Sequence, residues 1–208
     1  MHAGEYVGVN FDNQNKRLLI LGESHHGGKD EEGKQASYTS SNVVNDYLSA
    51  KRGTIKMSQR WYFFTKIAHM VDYTLNKEKT IDFWEKVAFG NYIDVSCGVK
   101  DGFANKYLSN PTKTKQLNND LFEFVNKKRV DFILCVSPLS FSCLPMCENV
   151  VKSEINNKVS LLSYTPNSVI ENGIILTHPL TVYCTPHPSG YGFKPREYNG
   201  VLNSIIDI

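Results

Sequence analysis

Arg17-Leu18-Leu19-Ile20-Leu21-Gly22-Glu23-Ser24 is the stretch on which the fold turns. An unbroken apolar run closed by a glycine suits a short strand buried on both faces, the habit of a parallel sheet, rather than the alternation of a half-solvated one. From Glu23 to Ser41 the chain is polar and rich in glycine, longer than a plain connection needs and of the length at which loops carry function. Outward from there the apolar periodicity changes. Val43, Val44, Tyr47 and Leu48 mark a short amphipathic helix, and Phe63, Ile67, Met70 and Val71 a stronger one.

Thr80 is placed to cap a third helix with Ile81, Trp84 and Val87 on one face and Asp82 in its first turn. Phe89-Gly90-Asn91-Tyr92-Ile93 reads as a second core strand. Leu117, Leu121, Phe124 and Val125 give a further helix, whose C-terminal end is favoured by Lys127, Lys128 and Arg129. Asp131 to Val136 is the clearest buried strand, and Val159 to Ser163 and Thr181 to Thr185 are later candidates. A closing helix is expected from Glu197 to Ile208, with Val201, Leu202, Ile205 and Ile206 inward. Strands alternating with helices predict an α/β fold of three layers, α/β/α, around a central, mainly parallel sheet of about four strands. Residues 1–208 are read as one domain.

Composition excludes several classes. With 41% hydrophobic and 21% charged residues the chain is globular rather than a disordered tail. A formal charge of +2 neither requires nor forbids nucleic acid, because a basic stripe can hide in a balanced total. Five cysteines, an odd number without a C-x-x-C pair, fit free thiols in a reducing cytoplasm, and Cys135 in its apolar run is expected to be buried. With no apolar leader and no membrane-length stretch, a cytoplasmic protein is expected.

In parallel sheets ligands bind where the carboxyl ends of the strands meet. Three such ends carry polar groups: Glu23 and Ser24 after the first strand, Asn91 within the second, and His187-Pro188-Ser189-Gly190 after the last. The first turn alone admits three chemistries. Gly22-Glu23-Ser24-His25-His26-Gly27 approaches a nucleophile elbow with Ser24 as nucleophile, although His26 stands where the elbow needs a small residue. His25, His26, Asp30 and Glu32 have the donor types of a metal site, although adjacent histidines in extended chain point to opposite sides. For Lys29 to Lys34 a solvated glycine loop is the plain reading.

Taken together, the turns resemble the uracil-DNA glycosylase superfamily. There a first motif of the type G-E-x-P-G or G-Q-D-P-Y-H follows the first core strand, and a second of the type H-P-S follows the last. Between them a strand asparagine reads the base. The corresponding segments here are Gly22 to Gly27, His187 to Gly190 and Phe89 to Tyr92, spread over about four-fifths of the chain. The opening Leu18 to His25 also looks like that of uncharacterised bacterial glycosylase-like proteins. Ser24 replaces the aspartate of the second first-motif type, His25 replaces its proline, and no cysteine pattern for an iron–sulfur cluster is present.

The resemblance implies a monofunctional DNA glycosylase without metal or cofactor, acting as a monomer on DNA with no membrane partner. It flips out a damaged or modified pyrimidine, such as uracil or a modified cytosine of phage DNA, and leaves an abasic site. Repair and defence against phage are the two settings it suggests. Glu23 and His187 are the catalytic candidates: a carboxylate to stabilise the sugar cation and orient water, and an imidazole to stabilise the departing base. Asn91 offers the donor and acceptor that a Watson–Crick edge requires. Phe89 and Tyr38, with Tyr92 as another choice, are candidates to stack on the base. Gly27, Ser137, Ser189 and Gly190 are candidates to grip phosphates, and Tyr191 or Phe193 to fill the vacated stack. The rival readings are a silent nucleic-acid-binding module and a serine hydrolase using Ser24.

Overall fold

A computed structural model describes residues 4–25, 31–72, 74–98, 102–148, 150–155, 158–170 and 173–202. The decisive stretch forms β2 (Leu18–Gly22), all five residues of which are buried. It lies between β3 (Ala88–Asn91) and β4 (Phe132–Cys135), parallel to both, and β4 pairs in turn with β7 (Leu180–Cys184), again in parallel. Three antiparallel strands extend this core: β1 (Tyr6–Val7) beyond β3, and β6 (Val159–Tyr164) then β5 (Val150–Ile155) beyond β7. The sheet therefore has seven strands in mixed orientation, order β1-β3-β2-β4-β7-β6-β5.

That corrects the expectation of about four, mainly parallel strands. Strand β6 runs against β7, and only three residues separate it from β5, a span that closes an antiparallel hairpin but not a parallel crossover. β5 was not legible because Lys152, Ser153 and Glu154 are exposed, so no buried face imposes a pattern. Its charges suit a sheet edge.

Side chains leave each parallel strand alternately to the two faces. Leu18, Ile20, Phe89, Leu134 and Tyr183 join one core cluster, whereas Leu19, Leu21, Ile133, Cys135 and Val182 join the other. The first cluster is completed by α1 (Ser40–Arg52), α2 (Tyr62–Val71), α3 (Lys77–Lys86) and α7 (Arg196–Leu202). The second draws on α4 (Phe103–Leu108), α5 (Pro111–Lys128) and the short α6 (Pro138–Ser142). Trp84 is the hub of the first, with Tyr6, Tyr47, Phe64, Phe83 and Phe89 all edge-on to its ring.

The helix ends follow their local chemistry. Thr39 caps α1 in a reciprocal pair with Asn42, and Asn110 caps α5 immediately before Pro111. For α3 the cap is Asn76, a turn before the expected Thr80, which lies within the helix and bonds back to the Asn76 carbonyl at 2.6 Å. Lys77, Glu78 and Lys79 carry no apolar signal, so the first turn was invisible in the periodicity. α7 supplies a buried Leu202, and the remainder of the expected closing helix, with Ile205 and Ile206, lies outside the described residues. No helix among the described residues is long and apolar enough to cross a membrane.

Removing the Trp84 hub leaves a cavity that five rings cannot close. Trp84→Ala is expected to cost about 3–5 kcal/mol of unfolding free energy, whereas Val151→Thr on the exposed edge strand stays within about 0.5 kcal/mol. Urea midpoints at constant m-value measure both.

Candidate functional site

Parallel pairing brings the carboxyl ends of β2, β3, β4 and β7 to one edge of the sheet. Gly22 stands opposite Asn91 in the β2–β3 register, and Cys135 stands opposite Leu21 and Cys184 in the registers that follow. Each strand then delivers one polar residue beyond or at its end: Glu23, Asn91, Ser137 and His187. Glu23, Asn91 and His187 line a single cleft of about 420 Å³, with Ser24, His25, Tyr38, Arg60, Phe63, Phe89 and Ser189 also on its walls.

Gly22 leaves the place that Asn91 uses. A Cβ there would meet Asn91 Oδ1, so the amide would have to turn aside, and would lie 3.5 Å from Phe89 Cζ. The bare backbone lets the Asn91 amide lie across the end of β2, and the turn stays zipped to β3 beyond the strands, because Tyr92 N–H donates to Gly22 O at 3.0 Å and Ile93 N–H to Glu23 O at 2.8 Å. Glu23 is thereby held on its backbone. Its carboxylate is held too, since Ser137 Oγ donates to Glu23 Oε2 at 2.9 Å. Ser137 is 1% exposed and also caps α6, so its hydroxyl positions the carboxylate instead of reaching a phosphate as the sequence suggested.

His187 is fixed from three sides. The Ser189 N–H donates to His187 Nδ1 at 3.2 Å, so Nδ1 accepts and the neutral ring carries its proton on Nε2. Phe63 stacks on the imidazole, with ring centroids 5.2 Å apart and planes 28° from parallel. Lys66, one turn further along α2, donates to the Pro188 carbonyl at 2.8 Å and ties the turn to the helix. Gly190 closes the turn, and a Cβ on it would press to 3.0 Å from the His187 carbonyl.

The aromatic candidates separate. Phe89 is buried in the cleft wall, with Phe63, Phe64 and Trp84 edge-on to it. Tyr38 lies at the rim and donates to Asp46, and its hydroxyl is pushed up to about 12, first by lost solvent and then by that bond. Tyr92 does not face the cleft. It points to the opposite side of the sheet, where its hydroxyl donates to Asn118 Oδ1 at 2.7 Å. Tyr191 projects fully into solvent beside Ser189 and Gly190, whereas Phe193 is stacked on Tyr198 at 5.0 Å. Gly27 lies outside the described residues, as do His26 and Asp30.

Two rivals can be weighed on the same atoms. Ser24 Oγ is buried and, among the described residues, accepts or donates no hydrogen bond with a histidine that could serve as the base of a serine nucleophile. Among the described residues no group of three His, Cys, Asp or Glu side chains is placed to hold a metal ion. Arg60 and Phe63 were missed in the sequence because Phe63 was assigned to a helix core and Arg60 carries no motif. The signal available was their position just before and at the start of an amphipathic helix that faces the strand ends. No family model matches the chain, and comparison with curated proteins gives no match.

Gly22→Ala should displace the Asn91 amide and destabilise the fold by about 1–3 kcal/mol, read as a lowered denaturation midpoint. A fluorophosphonate probe should leave Ser24 unmodified in intact-mass spectra, and a stoichiometric adduct that disappears in Ser24→Ala would restore the hydrolase reading.

Proposed function

We propose that the cleft is the active site of a DNA glycosylase that takes up a flipped-out, damaged or modified pyrimidine and hydrolyses its N-glycosidic bond. The observation that carries the reading is the convergence of Glu23, Asn91 and His187, from the ends of three separate strands, on one cleft of about 420 Å³. The α/β fold supports this reading as well: helices pack on both faces of a sheet whose central strands are parallel, with antiparallel strands added at both edges.

In the proposed reaction the bond from C1′ of the sugar to the base nitrogen breaks, and its electron pair leaves with the base. Positive charge grows on the sugar, and the Glu23 carboxylate, steadied by Ser137, offsets it and orients a water. The water oxygen bonds to C1′, and its proton passes to Glu23. Negative charge on the base oxygen is met by His187 Nε2–H, a donor set by the Ser189 amide on the opposite ring nitrogen. The base then takes a proton from solvent and departs neutral, and Glu23 returns its proton to solvent. Asn91 supplies an acceptor and a donor to the edge of the base, and Phe89 and Phe63 supply apolar walls.

Cleft size bears on the substrate. A bare pyrimidine of about eight heavy atoms fills roughly 240 Å³ even at the ~30 Å³ that liquid water gives each oxygen. The cleft exceeds that. The excess admits the deoxyribose that a flipped nucleotide brings with it, or a polar ring substituent, so plain uracil and a modified cytosine both fit this reading, with repair and attack on modified phage DNA as its settings.

Base release from DNA carrying uracil, hypoxanthine, hydroxymethylcytosine or glucosylated hydroxymethylcytosine, scored as alkali-labile sites, tests the proposal. Glu23→Ala and His187→Ala should each slow release by about 10²–10³-fold. Release that survives in both variants, or none from any substrate, would overturn the assignment, the latter in favour of a silent binding module.

A further inference from the structure

Arg60 brings a positive charge to the rim of this cleft, and among the described residues no acid is paired with it. It sits in a 3-10 turn (Gln59–Trp61) leading into α2, exposed to solvent. The guanidinium carbon lies 5.8 Å from the centre of the Tyr38 ring and 5.6 Å from that of Trp61, both within cation–π reach. Among the described residues it makes no hydrogen bond or ion pair. Asp46, the acid beside Tyr38, is engaged by the tyrosine hydroxyl instead. Arg17 and Arg52 are spent differently: Arg17 donates to the Lys128 and Asp12 carbonyls, and Arg52 pairs with Glu85.

We propose that Arg60, held between Tyr38 and Trp61, binds a phosphodiester oxyanion of the nucleic-acid strand whose nucleotide enters the cleft. The proposal rests on the glycosylase reading for its ligand. A planar guanidinium with paired N–H groups matches a phosphate oxyanion, and aromatic contacts that preset its orientation reduce the entropy lost on binding. A strand delivering a base to this cleft also brings its phosphates toward the Glu23 carboxylate, and a cation lining the same cleft offsets that repulsion. One well-held arginine at the entrance of the cleft should be visible in binding.

The test is equilibrium binding of unmodified single-stranded and duplex oligonucleotides across a salt series. Arg60→Ala should reduce the slope of log K against log salt by about 0.7 on single strands or about 0.9 on duplex, and weaken binding at low salt by about tenfold. Arg60→Lys should retain the slope and lose part of the affinity. Arg52→Ala removes one charge at the end of α1 remote from Ser40, which lines the cleft, about 18 Å along the helix, and should leave the slope at the wild-type value. An unchanged slope in Arg60→Ala, an equal loss in Arg52→Ala, or no binding by the wild-type protein overturns the proposal. Base release with an unchanged slope would leave the glycosylase and remove the clamp. A lost slope with no base release by the wild type would do the reverse.

Discussion

A strand with parallel neighbours on both sides has its backbone groups committed and its direction shared, and β2 is in that position between β3 and β4. Parallel pairing is what makes the chemistry local. Because β2, β3, β4 and β7 all run the same way, their carboxyl ends come to one edge, and whatever follows each strand arrives there with it. The absence of a side chain at Gly22 completes the arrangement. It admits the Asn91 amide to the end of β2, a place that an alanine methyl would occupy. Glu23 is then gripped on its backbone by the β3 side and on its carboxylate by Ser137 from the β4 side.

The parts legible in the sequence were those in which a buried face imposes a period. Leu18 to Leu21 and Phe132 to Val136 are buried throughout or nearly so, and their apolar runs announce them. Thr80 misled because an amphipathic pattern begins only where a helix meets the core, while its first turn is set by a polar cap such as Asn76. β5 and the two-residue β1 carried no period, since one is solvated and the other too short to show one. The site divided in the same way. Glu23, Asn91 and His187 stood at strand ends that could be located, whereas Arg60 and Phe63 reach the cleft from α2 and its preceding turn, through packing between distant segments that no spacing reveals. Ser137 and Tyr92 lie just past β4 and β3, and burial, together with the side of the sheet on which each emerges, turns Ser137 to Glu23 and Tyr92 to Asn118 rather than to a phosphate or a base.

Polar groups around the cleft are arranged in supporting pairs rather than massed charge. Ser137 steadies Glu23, the Ser189 amide fixes the proton position on His187, and Lys66 is turned to the Pro188 carbonyl instead of the open cleft. Such fixed dipoles and neutral donors need no reorganisation when charge develops, which is how a site of modest net charge can act strongly on a polar reaction. Aromatic rings form the other half of the lining. Phe63 serves both halves, as a wall of the cleft and as the surface against which the imidazole lies flat.

Glu23 and His187 stand near opposite ends of the chain, and they meet only because β7 docks beside β4. That pairing cannot form until the chain from Cys135 to Leu180 has been made and its loop closed. A chain emerging in order from its N-terminus has β2, β3 and β4 in hand well before β7 exists. Up to that moment it carries a carboxylate and an asparagine but no imidazole to share a cleft with them. Completion of the sheet and completion of the cleft are one event.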